Sequence, residues 1–177
     1  MGNDRPPVSD YVGVAVILTA TVAGLVFVTG GADPSAAAPG ALIPPVVSLV
    51  ALTFGVLALT TVVRNLAVFR GTASARYYRD YVSDTPSEKL ERPARTFNNL
   101  LQIPVLFYAA CALMIATGNL DSVQVTLAWL FVALRFLHAF VYIAFNRLAY
   151  RFSLFAASSI VLGVLWTRFA IQSWPGV

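Results

Sequence analysis

The residues of this chain that could do chemistry fall in two short stripes set inside apolar sequence. Arg95, Asn99 and Gln102 are spaced i, i+4, i+7, with Glu91 one turn upstream, and Arg135, His138 and Tyr142 are spaced i, i+3, i+7. Each spacing puts its members on one face of a helix. Arg135 sits near the middle of a long apolar run, where an ionised side chain does not easily reach water. It must face protein, a water-filled cleft or an anionic ligand. Taken singly, these residues also read as helix-to-helix hydrogen bonds, with Asn99 and Gln102 satisfying Arg135. Taken together, with Arg147 and Arg151 at the adjoining mouth, they describe a cleft for a small anionic, hydrogen-bonding ligand. That ligand would enter from the cytoplasm and meet a lipid-soluble partner.

Composition removes many other chemistries. The only cysteine, Cys111, excludes a disulfide framework, a CxxC redox pair and a cysteine-based zinc site. Its place in an apolar run makes it a small packing residue rather than a nucleophile. The only histidine, His138, excludes the usual multi-histidine metal centres, so no metal is expected. Basic residues comprise eleven arginines and one lysine, which excludes a lysine-rich nucleic-acid tail. The chain is 58% hydrophobic and 11% charged, against about half and a quarter in soluble domains. With a mean hydropathy of +0.75, it is read as an all-α integral membrane protein in contact with membrane lipids.

Five segments are long and apolar enough to span about 30 Å of hydrocarbon: Tyr11 to Thr29, Leu42 to Val63, Phe97 to Thr117, Val123 to Phe145 and Phe152 to Ile171. Pro44 and Pro45 fall in a first turn, where a missing N–H costs least. The segment between the second and third spans, Arg64 to Arg95, holds seven basic residues, and Asn146 to Arg151 carries two arginines. The connections 30–40 and 118–122 carry no lysine or arginine. This alternation predicts a cytoplasmic amino terminus and an outside carboxyl terminus, in a membrane such as the bacterial inner membrane. Arg168 lies at the wrong end and is read as a single snorkelling side chain. Tyr11 to Thr29 lacks a basic region before it and reads as an anchor helix, not a cleaved leader.

The run Glu91 to Pro104, carrying Glu91, Arg92, Arg95, Asn99 and Pro104, resembles the second-helix motif of the MAPEG superfamily, the membrane-associated proteins in eicosanoid and glutathione metabolism. Ala133 to Tyr142 looks like its third-helix signature through Arg135, His138 and Tyr142, and Arg64 to Gly71 is similar to the end of its first helix. The resemblance covers about Ala41 to Ile171. It implies a four-helix bundle over 41–177, preceded by a tail, an additional transmembrane helix and a short loop in 1–40. It further implies glutathione as cosubstrate and a homotrimer holding it between subunits. Arg95, Asn99, Gln102, Arg135, His138 and Tyr142 then fall at binding positions. Arg151, nine residues after Tyr142, is the candidate for stabilising the thiolate, with Arg147 second. Gln102 stands where the family pattern has glutamate, and Phe97 where it often has histidine.

The activity implied is a glutathione-dependent transferase or peroxidase acting on lipid-soluble electrophiles. One alternative is a non-catalytic accessory subunit that docks into a larger membrane complex through Tyr11 to Thr29. Another is a lipid- or quinone-binding scaffold using Tyr108, Trp129, Trp166 and Trp174.

Overall fold

A computed structural model of the chain describes residues 7–30, 34–80 and 86–174. The elements are α1 (Val8–Gly30), a 3-10 turn (Pro39–Leu42), α2 (Ile43–Phe69), α3 (Ala75–Asp80), α4 (Glu88–Leu100), α5 (Ile103–Thr117), α6 (Ser122–Ala144) and α7 (Leu148–Ser173). Five stretches are long and apolar enough to cross a membrane, with α4 and α5 together forming the third. The expected all-α membrane architecture is the one observed.

Inside a bilayer every backbone group must find its partner within the segment. The hydroxyls scattered through the spans follow the same rule by bonding one turn back. Thr21 donates to the Ile17 carbonyl, Thr53 to that of Leu49 and Thr60 to that of Val56. Neighbouring helices are held by packing, since lipid tails are as apolar as leucine. The core lies between α2, α5, α6 and α7, where Phe107 stacks on Phe131 at 4.8 Å beside the fully buried Leu49, Leu127, Val161 and Leu165. Cys111 is buried in this core, in keeping with a packing role.

The third crossing differs from the single helix expected from Phe97 to Thr117. It breaks between Leu100 and Ile103, with Gln102 at φ −96° and ψ −91°. Pro104 is the cause, because it offers no N–H to the Leu100 carbonyl and its ring crowds that turn. The Leu101 and Gln102 amides instead bond back to Asn98 and Asn99, tightening the end of α4.

Helix α1 runs parallel to α7 and leans on it. Its Ser9 carbonyl accepts from the Tyr150 hydroxyl at 3.4 Å, and Asp10 pairs with Arg147 at 3.4 Å. At the other end Ser35 to Ala37 forms a short extended bridge with Leu120 to Ser122. Between these anchors α1 is mostly uncovered. Only 11% of its apolar window is buried, against 50% for α6. Contact is close at Gly13, where an added Cβ would stand 2.2 Å from Cε1 of Tyr150. Gly13→Leu should therefore lift α1 from α7 while the other helices stay assembled. Thr29 and Thr167 line one groove of about 500 Å³ between these helices. Backbone amide exchange in the first turns of α1 should rise several-fold in Gly13→Leu, and unchanged exchange would refute the role given to Gly13.

Arg168 corrects the sequence reading. It does not snorkel alone: its Nε and Nη2 reach Oδ2 of Asp121 at 2.8 and 2.7 Å. Gln172 donates to the same oxygen at 2.5 Å, and Gln124 donates to Gln172 at 2.9 Å. Asp121 also caps α6 by accepting from the Gln124 amide, and the Gln124 side chain accepts from the Asp121 amide.

Candidate functional site

Helix α6 supplies the centre of the site. Its face toward α4 and α7 carries Arg135, His138 and Tyr142, which are 0%, 2% and 7% exposed. Arg135 lies about 20 Å along α6 and turns inward, as a charge at that depth must. Its Nη1 donates to Oδ1 of Asn99 on α4 at 3.3 Å. Its guanidinium carbon sits 5.4 Å from the Phe131 ring and 5.2 Å from that of Phe155, close enough for attraction to the ring faces. Among the described residues no carboxylate meets it. Among the described residues, Nε and Nη2 of Arg135 and Nδ1 of His138 are buried without a hydrogen-bond partner. His138 is wedged edge-on against Tyr142 and tilted against Phe155.

Arg151 closes the end of this column. Its guanidinium carbon lies 4.0 Å from the centre of the Tyr142 ring, and its Nη1 donates to Oδ1 of Asn146 at 2.7 Å. Asn146, in the three-residue turn joining α6 to α7, has φ +49°, a left-handed conformation that asparagine tolerates better than most residues. Its Nδ2 donates to Oε1 of Glu88, which also accepts from Nε of Arg92 at 3.3 Å. Asn99, Arg135, His138, Tyr142 and Arg151 thus form one continuous polar column between α4, α6 and α7.

Three expected members stand apart from it. Gln102 occupies the helix break with its side chain exposed, so it does not continue the Arg95–Asn99 stripe or reach Arg135. Arg95 is exposed on α4. Arg147 is drawn to Asp10 of α1, with which it pairs at 3.4 Å.

A second polar cleft, of about 620 Å³, opens between α2, α3 and α4 and is lined in part by Thr61, Arg64, Asn65, Tyr78 and Asn98. Arg64 pairs with Glu91 at 2.8 Å and covers the Tyr78 ring at 4.9 Å. Burial, and then the negative charge of Glu91, push the Tyr78 phenol above its ordinary value, so it stays protonated and able to donate. Spacing alone could not join Arg64 to Glu91. Asn146 and Glu88 also went unsingled from the sequence, although an asparagine between two helices is a turn signal. No three His, Cys, Asp or Glu side chains among the described residues come together to hold a metal ion.

Residues 42–171 match the MAPEG family. The chain belongs to that family. It is therefore an integral membrane protein of a glutathione-associated family, and the two stripes lie within the matched region. Helix α1 precedes the match. No curated protein and no solved structure matches the chain.

The glutathione implied by the family can be tested against the side chains present. A tripeptide with two carboxylates needs fixed cations and amide partners. The buried donors of Arg135 that meet no carboxylate, the adjoining His138 and the clamped Arg151 suit it. Glutathione supplies a thiol, which becomes a strong nucleophile once ionised. The chain's part would be to hold and orient it: Arg135 and Asn99 would offer a charge and an amide, Tyr142 a ring wall, and Arg151 a permanent cation.

Proposed function

We propose that this MAPEG protein is a glutathione-dependent transferase or peroxidase acting on lipid-soluble electrophiles. The observation carrying this reading is Arg135, a buried cation whose nearest hydrogen-bond partner is the neutral Asn99. Arg151 is the candidate for lowering the thiol's pKa, because a permanent cation nearby favours the thiolate. Arg95 is the candidate for gripping the peptide's carboxylates, because its planar fork of donors matches them.

The reading includes an assembly and an orientation. Exposed Arg95 and Gln102 are costly against lipid, so a neighbouring copy covers them in a homotrimer that leaves α1 outside. The Glu88 and Arg147 end faces the cytoplasm of a bacterial inner membrane, where soluble glutathione enters. Gln102 favours a second reading, a non-catalytic accessory subunit, because a neutral amide gives up the charge assistance a glutamate would lend to a bound amino group.

The test is ultraviolet thiolate absorbance together with calorimetric binding of glutathione to the purified protein. Arg151→Ala should lose the absorbance with little loss of affinity. Arg95→Ala should lose affinity by about 10- to 100-fold, the worth of a charge-assisted hydrogen bond. Gln102→Glu should raise it. Absence of both signals at millimolar glutathione, unrescued by Gln102→Glu, would leave the accessory reading standing.

A further inference from the structure

The two arginines of the α6–α7 connection are held in different ways, and the difference points to an unassigned positioning group. Arg147 is tied to the peripheral helix α1 through Asp10. Arg151 is tied into the bundle. Asn146 accepts its Nη1 hydrogen at 2.7 Å and donates in turn to Glu88, 58 positions earlier at the start of α4. The link passes from α4 through the turn to α7.

We infer that Asn146, anchored by Glu88, is the positioning residue that holds the Arg151 guanidinium over Tyr142 and so sets its electrostatic reach into the site. This deepens the enzyme reading and rests on it. The physical case is one of entropy and direction. A free arginine side chain spreads its charge over many rotamers, and holding it in one carries an entropic cost that its contacts must repay. Here the amide oxygen of Asn146 fixes one edge of the guanidinium, and the Tyr142 ring at 4.0 Å fixes its plane. Asn146 is itself held twice. Its backbone sits in the left-handed region, with its amide bonded to the Val141 carbonyl at 2.8 Å, and its side chain is held by Glu88. Glu88 is aligned by Arg92. A cation held this way acts on one point, and a direct carboxylate partner is avoided. A glutamate touching Arg151 would cancel the field that a nearby thiol needs, whereas the interposed neutral amide transmits position and little charge. The charged and titratable groups around Arg151 are Glu88 and Arg92 from α4, His138 and Tyr142 from α6, and Arg147 at the turn.

Two variants separate position from folding. Asn146→Gly keeps the left-handed backbone and deletes the amide. Asn146→Asp keeps an oxygen on Arg151 but repels Glu88 and sets a negative charge against the guanidinium, so it separates holding the cation from leaving its field uncancelled. The first readout needs no glutathione: the rate at which phenylglyoxal modifies Arg151 in the purified full-length protein, followed by peptide mass spectrometry. Asn146→Gly should speed modification several-fold, and Asn146→Asp should keep it near the wild-type rate. The second readout is the pH midpoint of thiolate absorbance with saturating glutathione. Asn146→Gly should raise that midpoint by about one pH unit, a tenfold loss of thiolate preference, while affinity stays within twofold. Equal phenylglyoxal rates in wild type and Asn146→Gly overturn the inference. A faster rate with an unmoved midpoint also overturns it, because Arg151 would then be held for packing. A faster rate with no thiolate in any variant, wild type included, sinks the enzyme reading and leaves the positioning of Arg151 supported.

Discussion

Arg135→Met should raise the thermal stability of the ligand-free protein in detergent and abolish its binding of glutathione. These opposite effects follow from one fact: Arg135 is fully buried with a single neutral hydrogen-bond partner. A buried charge costs several kcal/mol unless an opposite charge repays it. Methionine fills a similar elongated volume without charge or orphaned donors. Replacing buried ionic groups by apolar ones of similar shape commonly stabilises by about 1–4 kcal/mol. Asn99, half-buried, loses its partner at a cost of about 1 kcal/mol, so a smaller net gain remains. Differential scanning fluorimetry with and without glutathione reads both effects. If the variant melts well below wild type, Arg135 is an architectural strut and the anion-binding role is wrong.

At the opposite end, Asp121→Ala should destabilise the protein by about 3 kcal/mol. The substitution removes the α6 cap, worth about 1 kcal/mol. It also leaves Arg168 unpaired, which costs less than the 3–5 kcal/mol of a fully buried pair because Arg168 is 24% exposed. The same group sets an acid limb. Burial by itself raises the Asp121 carboxyl, but the Arg168 hydrogen bond, the Gln124 amide and Gln172 outweigh it and hold the carboxyl below the ordinary carboxylate value. The folded form thus holds the proton less tightly than the unfolded one. Its stabilisation is complete above the unfolded value of about 3.9 and is lost as pH falls from there through the folded value. Melting curves from pH 7 to pH 3 should show this loss in wild type and a flatter acid limb in Asp121→Asn. Parallel limbs would show that Asp121 does not control it.

What could be read from the chain depended on whether its cause was local. The five spans were legible because apolar length and flanking Gly, Pro and Arg act within a few residues. Arg135 could be turned inward from sequence because a charge at mid-span leaves lipid no role as its neighbour. The break at Leu101 and Gln102 was written in Pro104, yet the unbroken spacing of Arg95, Asn99 and Gln102 hid it. The capping box at Asp121 and Gln124 carries a local D-x-x-Q signature before an apolar run, but it was not read from the sequence. The pairing of Asp121 with Arg168 was not legible, since the two are 47 positions apart and only packing joins them. Spacing from Tyr142 ranked Arg151 ahead of Arg147 without saying what holds either. What separates them is tertiary: Asp10 reaches one and Asn146 the other.

The clasp between Asp10 and Arg147 also governs timing. These residues are 137 positions apart, and Arg147 immediately precedes the last helix. At about 5–20 residues added per second, α1 leaves the ribosome roughly seven to thirty seconds before its seat exists. Through that interval α1 floats in lipid with Asp10 unpaired, while the helices made after it are already free to associate. Helix α1 is thus made well before the helix it docks on. A translational pause shortly before Leu148 would prolong the period in which that loose helix is open to membrane proteases and to foreign partners.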